Sequence, residues 1–520
     1  MGRSRRAGRR NARGADFSLG ILLALNSASG LLNLLAAPPF GWHRLAFVCL
    51  IPHLLFLVHE PRPARLALGV ACFQTIRFLG LGSYFFDPLF GAIYVALALP
   101  IVWLLSLDAA LAPRRNQVRR LIIAAVAFVL VEQLQAALSP LPAYLATSGA
   151  LLGSSPYLGL ARWGGVVGLS VFVVGMNALL SYALLPSRRN PCQSPQVLTC
   201  IAVAVLATLA FGLLASQHLL AANRDAYARR PKISTVVAVS VSGGFAEGVA
   251  QYWDDESHDE AAAIAQHEVT RLADTLAQGP TQTDLLVLPE DMIDFEFWHH
   301  ADADTEQRFG ISNAGPLLAL YRALARERQS ELLCVLTTLE RDGRYNSALL
   351  LDREGAPVAV AHKTVLALAM ESWPFDGWHP FYFDWVMNAA RRRASPVYNT
   401  AYRYRPGTTA GLFTTDQGLV FGSPICIELH HPWRMRELVA RGAQALVHTS
   451  SDMAIERALP QYTAQTMQMR RILAVWLRIP IVFAGRRDDA GVVFPDGSVE
   501  GVAPEAQPFA VYWGRLRHDG

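Results

Sequence analysis

Three apolar runs in this sequence end in side chains that can do chemistry. Phe421-Gly422-Ser423-Pro424-Ile425-Cys426-Ile427-Glu428-Leu429 reads as a buried strand carrying a thiol near its end. Asp284-Leu285-Leu286-Val287-Leu288-Pro289-Glu290 breaks at proline and delivers a carboxylate, and Val358-Ala359-Val360-Ala361-His362-Lys363 delivers an amine. A free thiol is only a few per cent thiolate at neutral pH and becomes an effective nucleophile beside a base or a cation. Glu290, Lys363 and Cys426 would supply base, cation and nucleophile. Taken singly, each has a plainer explanation: a strand cysteine is commonly inert core, a glutamate after proline a solvated turn, a lysine closing a strand an edge charge. The lysine is made less ordinary by composition, because only Lys232 and Lys363 are lysines among 46 basic residues and the other 44 are arginine. A compact ammonium on a flexible stem, kept at 363 in an arginine-rich chain, suits a catalytic cation.

Other short motifs surround these three. Tyr345-Asn346-Ser347 precedes the lysine strand, Glu371 follows Lys363 by eight residues, Arg405-Pro406-Gly407 precedes the cysteine run, and Cys426-Ile427-Glu428 closes it. Upstream lie Pro38-Pro39-Phe40-Gly41-Trp42, Leu45-Ala46-Phe47-Val48 and Tyr252-Trp253-Asp254. In combination they resemble the carbon-nitrogen hydrolase (nitrilase) superfamily, and within it the apolipoprotein N-acyltransferases, over nearly the whole chain. The sequence departs from that pattern at Ile427, where the family usually has tyrosine, at Ser451-Asp452-Met453-Ala454 and at Arg486-Arg487-Asp488-Asp489.

The elements that must position these residues fall into two regions. With 52% hydrophobic and 17% charged residues, the 520-residue chain is too apolar for an ordinary soluble protein, and the excess lies in the first 217 residues. Windows able to cross a hydrocarbon core of roughly 30 Å fall near 17–37, 44–59, 66–86, 89–111, 120–138, 164–185 and 197–217. Seven spans are therefore expected, after a basic cytoplasmic tail at 1–16. Arginine placement agrees: fourteen arginines, from Arg3 to Arg189, fall on one set of connections, and Arg162 alone falls on the other before residue 217. The positive-inside rule then puts everything after the last span on the outer face, and the resemblance implies that the membrane is a bacterial plasma membrane. A cleaved leader at 1–37 is the rival reading, and it would break this alternation. Gln74, Arg77, Glu132, Gln133 and Gln135 lie within spans, where an arginine costs on the order of 3 kcal/mol, so they should face neighbouring helices.

Beyond a linker at 218–232, a domain at 233–515 alternates strand-like and helical runs. Strands are expected at 233–241, 284–289, 332–338, 346–352, 357–362, 443–449 and 480–484, helices at 259–276, 315–328, 433–441 and 461–476, and a last hairpin turning at Asp496-Gly497. Such alternation argues for α/β layers; the family resemblance sharpens this to an αββα sandwich. Between Lys363 and Arg405, seven aromatic residues from Trp373 to Trp385, Trp378 among them, are interrupted by Pro374, Gly377 and Pro380. Aromatic rings favour the membrane interface, so this segment is read as a lid touching lipid and shaping the substrate entrance. Packing against the domain is the alternative.

Six cysteines without regular spacing make neither a disulfide framework nor a metal site. No glycine-rich phosphate loop occurs, and the basic residues follow membrane topology instead of forming a nucleic-acid patch. No metal or cofactor is expected, and a monomer is. In the expected chemistry Glu290 accepts the Cys426 proton, the thiolate attacks a carbonyl and Lys363 holds the developing charge. The resemblance implies that Glu371 and Glu428 orient the lysine or an incoming amine, and that Trp253 belongs to an early tryptophan motif. It also implies a ping-pong transferase passing an acyl chain from a membrane phospholipid, through a Cys426 thioester, to an amine such as a lipoprotein N-terminus. A membrane-tethered amidase or acyltransferase with another substrate is the alternative, and a transporter or an inactive scaffold is a more distant one.

Overall fold

The computed structural model describes residues 18–80, 88–111, 116–138, 143–185, 195–241, 258–280, 282–290, 312–313, 315–340, 343–367, 371–372, 404–451, 461–486, 489–502 and 509–519. The chain divides into two compact units: Met1–Ser139, Ala143–Ser155 and Val166–Leu214 form one, and Pro140–Pro142, Pro156–Gly165 and Ala215–Gly520 the other.

The first unit is helical. Its helices are α1 (Leu19–Ala36), α2 (Ile51–His59), α3 (Pro63–Gly80), α4 (Pro88–Ala96), α5 (Pro100–Leu111), α6 (Gln117–Leu138), α7 (Gly165–Leu184) and α8 (Pro195–Ala228), the last running on into the second unit. Among the described residues five stretches are long and apolar enough to cross a membrane: Leu19–Ala36, Gly91–Leu111, Gln117–Leu138, Gly165–Leu184 and Gln196–Ala228. The second span expected at 44–59 falls in a shorter apolar helical stretch, His43–His59. Pro52 there sits in the first turn of α2, where its missing N–H costs nothing. The expected third span is helical over Pro63–Gly80, and Arg65, Gln74 and Arg77 keep it out of the five. Residues 218–228, expected as linker, continue α8, since no glycine or proline interrupts it before Pro231.

Buried polar side chains join these helices. Arg77 on α3 pairs with Glu132 on α6, both about 1% exposed, and the guanidinium lies over the rings of Phe73 and Phe128. Glu132 also accepts from the Ser148 N–H at 2.9 Å and its hydroxyl at 2.7 Å. The ion pair satisfies the expectation that intramembrane charges face other helices. Asn177 on α7 accepts from the Leu50 N–H and donates to the Ala46 carbonyl, at 2.9 and 2.7 Å, tying α7 to the start of α2. Outward-facing Val203, Leu206, Phe211 and Leu214 leave one side of α8 apolar and exposed, as lipid contact requires.

The second unit is built on β1 (Lys232–Val241), β2 (Leu285–Glu290), β3 (Ser312–Asn313), β4 (Glu331–Glu340), β5 (Gly343–Leu351), β6 (Pro357–His362), β7 (Leu412–Thr414), β8 (Val420–Gly422), β9 (Ala445–Ser451), β10 (Ile481–Arg486), β11 (Ala490–Val493), β12 (Val499–Val502) and β13 (Phe509–His518). Its helices are α9 (His258–Leu276), α10 (Gly315–Arg328), α11 (Pro432–Ala440) and α12 (Gln461–Leu477). One sheet runs β6-β5-β4-β2-β1-β13 and the other β12-β11-β10-β9-β8-β7, and the pair Val241↔Arg486 joins them. Strand alternation fixes the layers. Val236 and Ala238 pack with Leu285, Val287, Phe421, Val447 and Val482 between the sheets. Val237, Val239 and Val241 pack outward with Leu272 and Leu276 of α9 and Leu318, Tyr321 and Leu324 of α10. Each such buried side chain contributes about 1.5–3 kcal/mol, so a one-residue slip, which would exchange the two faces, is heavily disfavoured. On the far side Leu438 of α11 packs at Gly422 and Arg470 of α12 reaches β9, completing the αββα sandwich.

One expectation is corrected at the cysteine run. It is not a strand to residue 429: β8 ends at Gly422, Ile425 makes a single parallel bridge to Thr449, and Cys426–His430 is a 3-10 turn. Gly422-Ser423-Pro424 weakens the ladder, Pro424 having no N–H to give, and the Ile425 N–H goes to the Glu428 side chain at 2.8 Å.

Candidate active site

Glu290 is the last residue of β2 and Lys363 the first beyond β6, so both stand at strand ends with side chains 4% and 1% exposed. Backbone bonds fix the lysine: its N–H donates to the Asn346 carbonyl at 2.7 Å and its carbonyl accepts from the Gly407 N–H at 2.8 Å. Gly407 allows this approach, because a Cβ there would stand 2.5 Å from the His362 oxygen.

The Lys363 ammonium bridges two carboxylates, donating to Glu290 Oε1 at 3.0 Å and Glu371 Oε1 at 2.9 Å. The Asn346 amide donates to the same two oxygens, at 2.7 Å each. The remaining oxygens are also held: Glu290 Oε2 accepts from the Ser451 N–H at 3.1 Å, and Glu371 Oε2 from the Ala367 N–H at 2.6 Å. Burial works against the charge on Lys363, but Glu290, Glu371 and Cys426 outweigh it and raise its pKa well above the ordinary value. The group is therefore a permanent cation at neutral pH. Its role would be electrostatic and not that of a proton donor.

Cys426 opens the 3-10 turn with φ 49°, in the left-handed region, and is 6% exposed. For a residue with a Cβ this conformation costs about 1–2 kcal/mol and persists only where neighbours enforce it. Glu428 is one of them. Besides the Ile425 N–H, it accepts from the Thr364 N–H at 2.7 Å, the Thr364 hydroxyl at 2.6 Å and the Val365 N–H at 3.3 Å. The carboxylate thus fastens the cysteine turn to the backbone immediately after Lys363. Burial raises the Glu428 pKa above its ordinary value, against the lowering by these donors.

A second support reaches Cys426 from β9 and α12. His448 Nε2 lies 3.0 Å from the Cys426 carbonyl, and Arg470 donates to His448 Nδ1 at 3.3 Å from Nε and 3.0 Å from Nη2. Burial, and then the charge of Arg470, lower the His448 pKa well below the ordinary imidazole value, so the ring is neutral.

The expected residues Glu290, Lys363 and Glu371 are thus bonded together, with Cys426 within electrostatic reach of Lys363 and Glu428 joining the two strand-end segments. Trp253, Trp378 and the aromatic segment 373–385 lie outside the described residues. Asn346 was visible in the sequence as part of Tyr345-Asn346-Ser347, but not as the shared donor of both carboxylates. His448 and Arg470 carried no signal, since a histidine in an apolar run and an arginine in a helix look ordinary until the sheets are stacked.

Residues 29–179 match the family model for the apolipoprotein N-acyltransferase N-terminal domain, and residues 251–506 match that for carbon-nitrogen hydrolase. Similar solved structures include Nit3 of Saccharomyces cerevisiae, a member of branch 10 of the nitrilase superfamily, at 15% identity over 55% of this chain and 91% of that one, TM-score 0.36. An amidase from Nesterenkonia sp. has 17% identity over 56% and 93%, TM-score 0.36. A CN-hydrolase superfamily protein from Xanthomonas campestris has 16% identity over 55% and 91%, TM-score 0.37. No curated protein matches the chain.

Proposed function

We propose a membrane N-acyltransferase working through a thioester on Cys426, in a chain that carries a carbon-nitrogen hydrolase domain over 251–506 and the apolipoprotein N-acyltransferase N-terminal domain over 29–179. Glu290 takes the thiol proton as the sulfur attacks the ester carbonyl of a phospholipid, and the oxyanion forms facing Lys363. Collapse breaks the ester C–O bond, and the lysophospholipid leaves with the proton from Glu290. An amine, such as a lipoprotein N-terminus, then attacks the thioester carbonyl. The C–S bond breaks, an amide forms, and the amine's proton passes by way of Glu290 back to the thiol.

The observation that carries this reading is the buried Lys363 ammonium held between Glu290 and Glu371 at 3.0 and 2.9 Å, with Glu428 fastening the Cys426 turn to the next residue of the lysine loop. A fixed donor at a developing oxyanion is worth about 3–4 kcal/mol, and a cation kept ionised by two carboxylates needs no reorganisation to act. Glu371 and Asn346 keep the ammonium in place, and Glu428 keeps the thiol in register with it. Trp253 and Trp378 are assigned to substrate entry. Residues 17–217 anchor the enzyme where donor and acceptor both reside, and the domain from about residue 233 works on the outer face of a bacterial plasma membrane, consistent with the arginine distribution.

The test is intact mass spectrometry of detergent-purified protein after incubation with mixed micelles of phosphatidylethanolamine and phosphatidylglycerol. A fatty-acyl mass increment that is absent from Cys426→Ala and accompanied by one equivalent of lysophospholipid is expected. No increment, or one that survives Cys426→Ala, overturns the proposal.

A further inference from the structure

We propose that His448 and Arg470 are positioning residues for the nucleophile, acting as a two-step clamp on the Cys426 carbonyl. The inference rests on the reading of Cys426 as the nucleophile and adds what holds it in its left-handed turn.

The direction of the clamp follows from hydrogen-bond chemistry. A guanidinium has only donors, so the His448 Nδ1 that receives two of them, at 3.3 and 3.0 Å, carries the lone pair. The single ring proton of the neutral imidazole is therefore on Nε2, and Nε2–H donates to the Cys426 oxygen at 3.0 Å. Without Arg470 the other tautomer becomes available, and it would set a lone pair against that carbonyl.

The clamp is also placed to fix the backbone. His448 precedes Thr449, whose own backbone bridges Ile425 and donates to the Pro424 carbonyl at 3.4 Å. The Glu428 N–H donates to the Ile425 carbonyl at 3.1 Å on the near side of Cys426, and His448 holds the Cys426 carbonyl on the far side. Both peptide planes flanking the cysteine are thus tied, and the direction of its Cα–Cβ bond is set by β9 and Glu428 together. His448 is 1% exposed, Arg470 is 0% exposed, and the guanidinium stacks 4.6 Å from the Phe483 ring centroid, so neither is a surface group that happens to lie nearby. A buried cation spent on orienting a histidine is accounted for by a carbonyl whose placement matters.

The experiment measures single-turnover acylation of the full-length protein in the same phospholipid micelles, with the saturating rate constant standing for kcat and the half-saturating donor concentration for KM. His448→Leu should lower kcat at least about tenfold, with KM changed less than about threefold, because misplacing a reacting atom by a fraction of an ångström slows chemistry without loosening binding. His448→Gln, whose amide can donate to the same carbonyl, should recover most of that loss. Arg470→Met should also lower kcat, and the double variant His448→Leu/Arg470→Met should be no slower than the slower single one, since both act through one bond. Cys426→Ala separates the two readings. Acyl transfer that survives Cys426→Ala refutes the nucleophile assignment, and the clamp with it. An inactive Cys426→Ala beside a wild-type rate in His448→Leu, or a His448→Gln as slow as His448→Leu, overturns the clamp alone. If His448→Leu is not recovered folded, Arg470→Met carries the test: a wild-type kcat there overturns the proposal.

Discussion

Lys363 stands where the chain's prevailing habit would put arginine, and its surroundings explain the exception. Its ammonium reaches two carboxylates at 3.0 and 2.9 Å from a site 1% exposed. A planar guanidinium needs a broader space and directs its donors differently. Lys363→Arg should therefore fold normally, yet acylate Cys426 at least about a hundredfold more slowly, as when an oxyanion donor is lost. An edge charge or surface ion pair would change stability by only about 0–1 kcal/mol and leave the rate near normal. The pH response follows from the same contacts. A lysine whose folded pKa is raised stays protonated through the alkaline range, and its ion-pair stabilisation, complete below the unfolded value, is lost only as pH rises through the higher folded one. The rate of Cys426 acylation should then show no descending limb between pH 8 and 10; a limb centred there would contradict a fixed cation. At this scale the sequence was informative where chemistry sits at strand ends. The strand-end placement of Glu290 and Lys363 was legible, Cys426 lies in a turn beyond its strand, and Glu371 and Glu428 came with the resemblance. His448 and Arg470 were not legible, because their meaning lies in bonds from β9 to a turn 22 residues before it and to a helix 22 residues after it.

Elements tell a similar story of local legibility. Strands β1, β2, β4, β5, β6, β9 and β10 and helices α9 to α12 were visible as alternating runs, because buried strands read as continuous apolar segments, whereas the short β3 and β7 were not. The cysteine run misled for that reason: apolarity reported burial correctly, while Pro424 and the Glu428 side chain made it a turn. The length of β13, paired with β1 from Lys232↔His518 to Val241↔Phe509, was hidden, since its partner lies more than 250 residues upstream. In the helical unit the pairing of Arg77 with Glu132 is an element-level tie between α3 and α6. Removing one member leaves an uncompensated buried charge, at about 3–5 kcal/mol. Arg77→Met and Glu132→Leu should each lower the thermal unfolding midpoint in detergent, and the double variant should lower it less than either alone. Unchanged midpoints in the single variants would mean the pair contributes nothing.

The chain carries a helical unit and an α/β unit of carbon-nitrogen hydrolase type, and the arginine distribution predicts an outer-face position for the second. A thiol reagent that cannot cross membranes should fail to label Cys192 in intact cells, while a reporter fused after Gly520 should behave as extracytoplasmic; a cytoplasmic reporter signal would contradict that orientation. Transferase and amidase share the acyl-enzyme and differ only in what discharges it, so the discharge is the decisive step. Acyl-enzyme formed with radiolabelled phospholipid should be isolated, freed of excess donor, and chased with a synthetic peptide bearing an N-terminal diacylglyceryl-cysteine or with buffer alone. The prediction is that label moves to the peptide as an amide, that the Cys426 thiol is regenerated at the same rate, and that the adduct persists in buffer. Label released as free fatty acid at a rate independent of the peptide would contradict an N-acyltransferase.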